Sequence, residues 1–106
     1  MLKGDLFTFL YTISSNKLRI KTYILINIKA NEHTFINTKF AAFATRFLNT
    51  KTQQLLILCN IRGFNSKIAQ LITDYIKLTL LINKRQIKVL MLVIRLRGQD
   101  MILGRK

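Results

Sequence analysis

The chain has no proline and no tryptophan, one cysteine and four glycines. A lone cysteine, Cys59, excludes an intramolecular disulfide and fits a reducing compartment, so an intracellular, cytoplasmic location is expected. Sparse glycine leaves no Gly-rich loop of the kind that cradles phosphate. One cysteine and one histidine, His33, cannot make a zinc site, and no metal or cofactor is expected. The same two residues are a thin signal for a nucleophile and its base; a structural cysteine and an exposed loop histidine are the simpler reading. Long hydrophobic runs are missing too. The stretch Val89-Leu90-Met91-Leu92-Val93-Ile94 is far shorter than the ~20 residues that a membrane helix needs. Residues 1–13 are apolar at their centre, but Asp5 interrupts them and no small-residue cleavage site follows, so neither a signal peptide nor a membrane partner is expected.

Acidic residues are also scarce. Four of them face 18 lysines and arginines, for a net charge of +14. Such a balance attracts nucleic acid or an anionic membrane surface. The basic residues are scattered rather than gathered into a stripe, however. Lys, Asn and Ile are all common, which is what an AT-rich coding sequence produces, and compositional drift accounts for the charge more simply than a nucleic-acid role. The chain is 106 residues long and 50% hydrophobic, enough for one small domain with a core. Disorder does not fit its wealth of Ile, Leu, Val and Phe. A chain this short still leaves much surface exposed, and a partner chain would help it.

Residues 6–13 are aromatic and β-branched, with strand character, and Ser14-Ser15-Asn16-Lys17 has turn chemistry. Leu18-Arg19-Ile20-Lys21 alternates with period two, and from Tyr23 to Ile26 every residue is apolar, so this strand is expected to enter the core. After a polar break comes the short apolar run Thr34-Phe35-Ile36. Over residues 38–48 the period changes. Phe40, Phe43, Ala44 and Phe47 fall at helical spacing, with Thr38 as the expected N-cap and Asn49 and Thr50 closing the helix. The aromatic stripe Phe40-Phe43-Phe47 reads as core rather than as a platform for bases. Strands follow at residues 55–61, 68–82 and 87–96, with turns at 62–67 and 83–86. A loop at 97–99 precedes a last short strand at 101–103. The pattern predicts a mainly β fold, a small barrel or sandwich of six or seven strands with one helix.

Three blocks in order carry a family resemblance. The first is Ile24-Leu25-Ile26-Asn27-Ile28-Lys29-Ala30, then Phe35-Ile36 and the helix after it. The second is the hairpin around Arg62-Gly63-Phe64-Asn65-Ser66-Lys67. The third is Asp100-Met101-Ile102-Leu103-Gly104. Together they resemble the retropepsin-like aspartic protease domain of gypsy-type LTR retrotransposon polyproteins, over most of residues 18–106. The resemblance implies a small acid-protease-like barrel and an ancestral function as an aspartic-type endopeptidase that processes a polyprotein. It implies a flap at Arg62, Gly63, Phe64, Asn65 and Ser66. It further implies that Asp100, Ile102, Leu103 and Gly104 pack beneath the active-site loop, and that two copies associate as a weak homodimer. A helix or a Trp-Leu continuation normally follows in the family, so the chain is expected to be a truncated copy.

The chemistry, by contrast, is expected to be lost. The family's Asp-Thr/Ser-Gly is replaced by Asn27-Ile28-Lys29, with Ala30 after it. Aspartic proteolysis needs two carboxylates sharing a proton across a water. Asn27 cannot ionise, Ile28 lacks the hydroxyl that ties the two loops together, and Lys29 sets a cation where glycine allows close approach. None of Asp5, Asp74 and Asp100 is followed by Ser/Thr-Gly, and Glu32 reads as a solvated loop carboxylate. Two alternatives stand beside this reading: a small basic nucleic-acid-binding protein, and a translated relic without a function.

Overall fold

Two Asn-Lys dipeptides set the sheet. In Asn16-Lys17 the φ angles are 52° and 67°, and in Asn83-Lys84 they are 48° and 67°. Successive positive φ values match the twist of antiparallel strands in two-residue turns, and asparagine tolerates them better than most residues. The computed structural model describes residues 6–27, 33–62, 67–96 and 98–104. Over these residues run β1 (Leu6–Ser15), β2 (Leu18–Asn27), β3 (Thr34–Asn37), α1 (Thr38–Phe47), β4 (Gln53–Arg62), β5 (Lys67–Ile82), β6 (Arg85–Ile94) and β7 (Met101–Leu103). Both turns are tighter than their sequences suggest. Ser14 and Ser15 remain in β1, and Arg85 and Gln86 already belong to β6.

The protein is mainly β, a closed six-strand barrel with one short helix. The ring runs β1-β2-β7-β3-β6-β5 and closes where Thr12, Ile13 and Ser14 pair with Leu81, Leu80 and Thr79. Two of its pairings are parallel, β2 with β7 and β3 with β6. Outside the ring, β4 pairs with the first half of β5. Tyr75 marks the branch point, opposite Gln53 on one edge and Leu92 on the other. β4 starts two residues earlier than its apolar run, at Gln53, and the register shifts between Gln54 and Ile57.

Side chains alternate across the strands, and the wall β6-β3-β7 is buried on both faces. Ile36, Met91 and Met101 join one core with Ile13, Ile24 and Ile76. Phe35 and Leu92 join a second with Ile72 and Ile94, flanked by Ile102 and by Leu55 and Ile57 from β4. That double burial accounts for the apolar Met91, Leu92 and Ile94 of β6, whereas Leu90, earlier in the same run, is exposed.

The helix departs from its sequence reading at its N-terminus, while Asn49 and Thr50 close it as expected, the Thr50 N–H donating to the Thr45 carbonyl at 3.0 Å. Its N-cap is Asn37, not Thr38: the Lys39 N–H donates to Asn37 Oδ1 at 3.3 Å. Leu48 is the C-cap, and Asn49 leaves the helix with φ 53°. The face turned to the barrel carries Ala41, Ala44 and Leu48. Phe43 and Phe47 are 48% and 51% exposed, so the aromatic stripe is not core, apart from the partly buried Phe40. Small alanines let the helix approach the sheet closely, and that stripe wins over the bulkier one.

Asn16 has a second task. Its Nδ2 donates to the carbonyls of Leu48 at 3.1 Å and Asn49 at 2.6 Å, closing the C-terminal end of α1 from the β1–β2 turn. Asn16→Ala and Asn83→Ala remove equivalent turn residues, but only the former also uncaps the helix. We expect Asn16→Ala to cost about 1 kcal/mol more than Asn83→Ala, visible as a melting temperature about 4–8 °C lower by circular dichroism. Equal losses would show that the cap contributes nothing.

Candidate functional site

β2 and β7 run side by side in the same direction. Ile24, Leu25 and Ile26 lie opposite Met101, Ile102 and Leu103. Asn27 ends β2 one step past Ile26, and Gly104 follows Leu103, so the two backbones leave the sheet at the same end. The Gly104 N–H donates to Thr34 Oγ1 at 3.3 Å, which brings the start of β3 to that end as well. Residues 28–30, expected to form the altered loop with Asn27, lie outside the described residues.

Approach to β7 is controlled by two polar residues. Thr22 is only 4% exposed, and its Oγ1 donates to Asp100 Oδ2 at 2.9 Å. Asn37 holds the same segment from the other side. Its backbone N–H donates to the Asp100 carbonyl at 2.8 Å, and its Nδ2 donates to the carbonyls of Leu96 at 3.1 Å and Gln99 at 2.9 Å. Asn37 thus caps the helix with its oxygen and pins the loop before β7 with its nitrogen. This role was not read from the sequence. The available signal was an amide residue beside Thr38 at the strand–helix junction, where either could serve as cap.

A cleft of about 840 Å³ opens at this end. Thr34 and Gly104 are among the residues that line it. Leu55 and Ile57 of β4 and Ile87 and Leu90 of β6 line it too, together with His33 and Lys88. The walls are thus apolar, and among the described residues lining it there is no carboxylate. The carboxylate pair of aspartic proteolysis therefore has no member among those described lining residues. His33 is exposed, as expected, and sits edge-on to Phe35 at a ring separation of 6.4 Å.

Other anticipated residues are not brought to the cleft or cannot be followed there. Arg62 closes the β4–β5 ribbon opposite Lys67, while residues 63–66 of the anticipated flap lie outside the described residues. The Cys59 backbone pairs with Gln70 within that ribbon, and its side chain lies outside the described residues. Among the described residues, no three His, Cys, Asp or Glu side chains gather into a metal-holding group. Nor is any helix among them long and apolar enough to cross a membrane.

The Thr22–Asp100 bond can be measured directly. Thr22→Val keeps the volume and removes the donor, and Asp100→Ala removes the acceptor. A double-mutant cycle in urea is expected to give a coupling of about 0.5–1.5 kcal/mol. Additive effects would mean that β7 is held by its backbone pairing alone.

No family model matches the chain, and no curated protein or solved structure matches it either.

Proposed function

We propose that this chain is a degenerate, catalytically inactive retropepsin-like domain of the kind found in gypsy-type LTR retrotransposon polyproteins. The observation that carries the reading is the pairing of Ile24–Ile26 with Met101–Leu103, which ends β2 at Asn27 as β7 gives way to Gly104, a residue that lines the apolar cleft. In the resembled family, the strand before the catalytic Asp and the Ile-Leu-Gly ending stand in this relation. The β4–β5 ribbon supports it further, because its strand β4 contributes Leu55 and Ile57 to the lining of the same cleft.

Inactivity follows from the residues at the loop. An amide at position 27 neither accepts a proton from water nor shares one with a partner. Losing a general base alone costs about 10²–10⁴-fold, and the loss of both members of a pair costs more. The domain associates weakly with a second copy, since Lys29 from each loop would meet its counterpart at a two-fold interface and repel it. The lone cysteine supports a reducing, intracellular setting. A relic without a native state is less favoured, because the ring closes on itself over two buried cores.

Incubation of the purified protein with a peptide library is expected to yield no cleavage at acidic or neutral pH. Asn27→Asp alone is expected to stay inert, because Ile28 and Lys29 still block the loop. The triple variant Asn27→Asp/Ile28→Thr/Lys29→Gly is expected to gain weak, pepstatin-sensitive cleavage. Wild-type cleavage that disappears in Asn27→Ala would overturn the proposed inactivity.

A further inference from the structure

The helix carries a surface that the cleft does not use. Around α1 from its buried alanine face, Lys39, Phe43, Arg46 and Phe47 are all exposed. Phe43 and Phe47 stack with ring centroids 5.8 Å apart at an interplanar angle of 18°. Phe40, partly buried against the barrel core, steadies the row at 6.0 Å from Phe43. About half of each outer ring is open to solvent, 48% for Phe43 and 51% for Phe47.

On the other flank of α1, across Arg46 from the rings, runs a groove of about 620 Å³ that none of the three rings lines. Arg46 and Lys51 line it with the hydroxyl residues Thr38, Thr50 and Thr52, and Asp74 stands at its side. The groove therefore offers two cations and several hydroxyls against one carboxylate. Arg46 lies between groove and rings: it lines the former and falls one turn after Phe43.

We propose that this face of α1 binds single-stranded nucleic acid. Its backbone phosphates would follow the Arg46–Lys51 groove, and its bases would stack on Phe43 and Phe47. Charge complementarity selects the polymer: the chain carries +14, and its groove is basic. Open aromatic faces beside a cationic track are the two parts that sequence-tolerant single-strand binding needs. A membrane surface would share the charge, but an interfacial helix sinks a broad apolar face into lipid. Here the alanine stripe of α1 is turned to the barrel, and the exposed side offers only the two rings of Phe43 and Phe47 beside Lys39 and Arg46, too narrow an apolar face for that. The inference rests on α1 alone and does not depend on the reading of the cleft.

Fluorescence titration of labelled oligo-dT and oligo-U over a series of salt concentrations tests it. Wild-type protein is expected to bind both, with affinity falling as salt rises. Loss of base stacking costs about five- to 150-fold per ring, so Phe43→Leu/Phe47→Leu, which keeps apolar bulk, is expected to weaken binding at least about tenfold. Arg46→Gln should reduce the salt slope by about 0.7, the share of a single neutralised phosphate, and Asp74→Asn should tighten binding. Circular-dichroism melts must match wild type for these exposed positions, and Phe43→Tyr/Phe47→Tyr must retain binding. Binding that ignores the double leucine variant would overturn the proposal, leaving diffuse charge as the cause. No binding by wild type would overturn it as well. So would phenylalanine-dependent binding to phosphatidylserine vesicles with oligonucleotide binding unaffected by the same change.

Discussion

Everything in this barrel hangs on a strand of three residues. Met101, Ile102 and Leu103 lie between β2 and β3, parallel to the first and antiparallel to the second. Without β7 the ring would open, because β2 and β3 are joined through it. So short a strand cannot hold itself, since ordering each residue costs about 1–2 kcal/mol in backbone entropy. Its neighbours hold it instead. Both edges are paired, Met101 is fully buried in one core, and Ile102 packs on the other. Thr22 and Asn37 grip the approach, and Thr34 accepts the N–H of Gly104 beyond it. Cutting Met101 back to alanine would therefore strike closure as well as packing, where packing alone is worth about 2–5 kcal/mol.

That constraint also builds the cleft. The residues that close the ring, Ile24–Ile26 and Met101–Leu103, stop where Asn27 and Gly104 begin. Closure uses apolar pairings that come before the altered triplet Asn27-Ile28-Lys29. Under the proposed reading, a carboxylate at position 27 could be lost while the wall behind it keeps its register. The walls are equally indifferent to chemistry, since Leu55, Ile57, Ile87 and Leu90 shape the cleft through volume rather than charge. Fold and reactivity are separable here because they reside in successive stretches of one strand.

How much of this could be read in advance varied with the range of the forces involved. The hairpin turns were legible because Asn-Lys pairs must satisfy a local backbone requirement. Entry of β2 into the core was legible from the unbroken apolar run, and Ile24 and Leu25 are buried, though Tyr23 at its start stays 61% exposed. Branching of β5 was not, since nothing in its 16 residues marks Tyr75 as the point where one neighbour replaces another. The N-cap went to Asn37 because its amide can accept from Lys39 and donate to the 96–99 loop at once. A threonine hydroxyl at position 38 could not bridge both. The helix face was misjudged for a geometric reason. Two apolar stripes share α1, one of small residues and one of phenylalanines, and hydropathy favours the larger. Proximity to the sheet favours Ala41 and Ala44, which are 2% and 0% exposed.

The misjudged face bears on the charge. A net +14 in a small barrel is self-repelling; compositional drift accounts for the abundance of lysine, and lysines at hairpin tips such as Lys17 and Lys84 are screened by solvent. Drift does not by itself explain open, stacked phenylalanines next to Arg46, because drift toward lysine, asparagine and isoleucine has no geometry. An exposed aromatic row loses the stabilisation that burial would bring, about 1.5–3 kcal/mol for a ring of this size. The inward stripe of α1 shows that the sheet could have taken only one of the two. With the alanines inward, the helix turns its rings outward into a strongly positive field, and stacking and charge then act on one ligand from one element. Since α1 caps its own ends through Asn37 and Asn16, that surface is as rigidly held as the barrel beneath it.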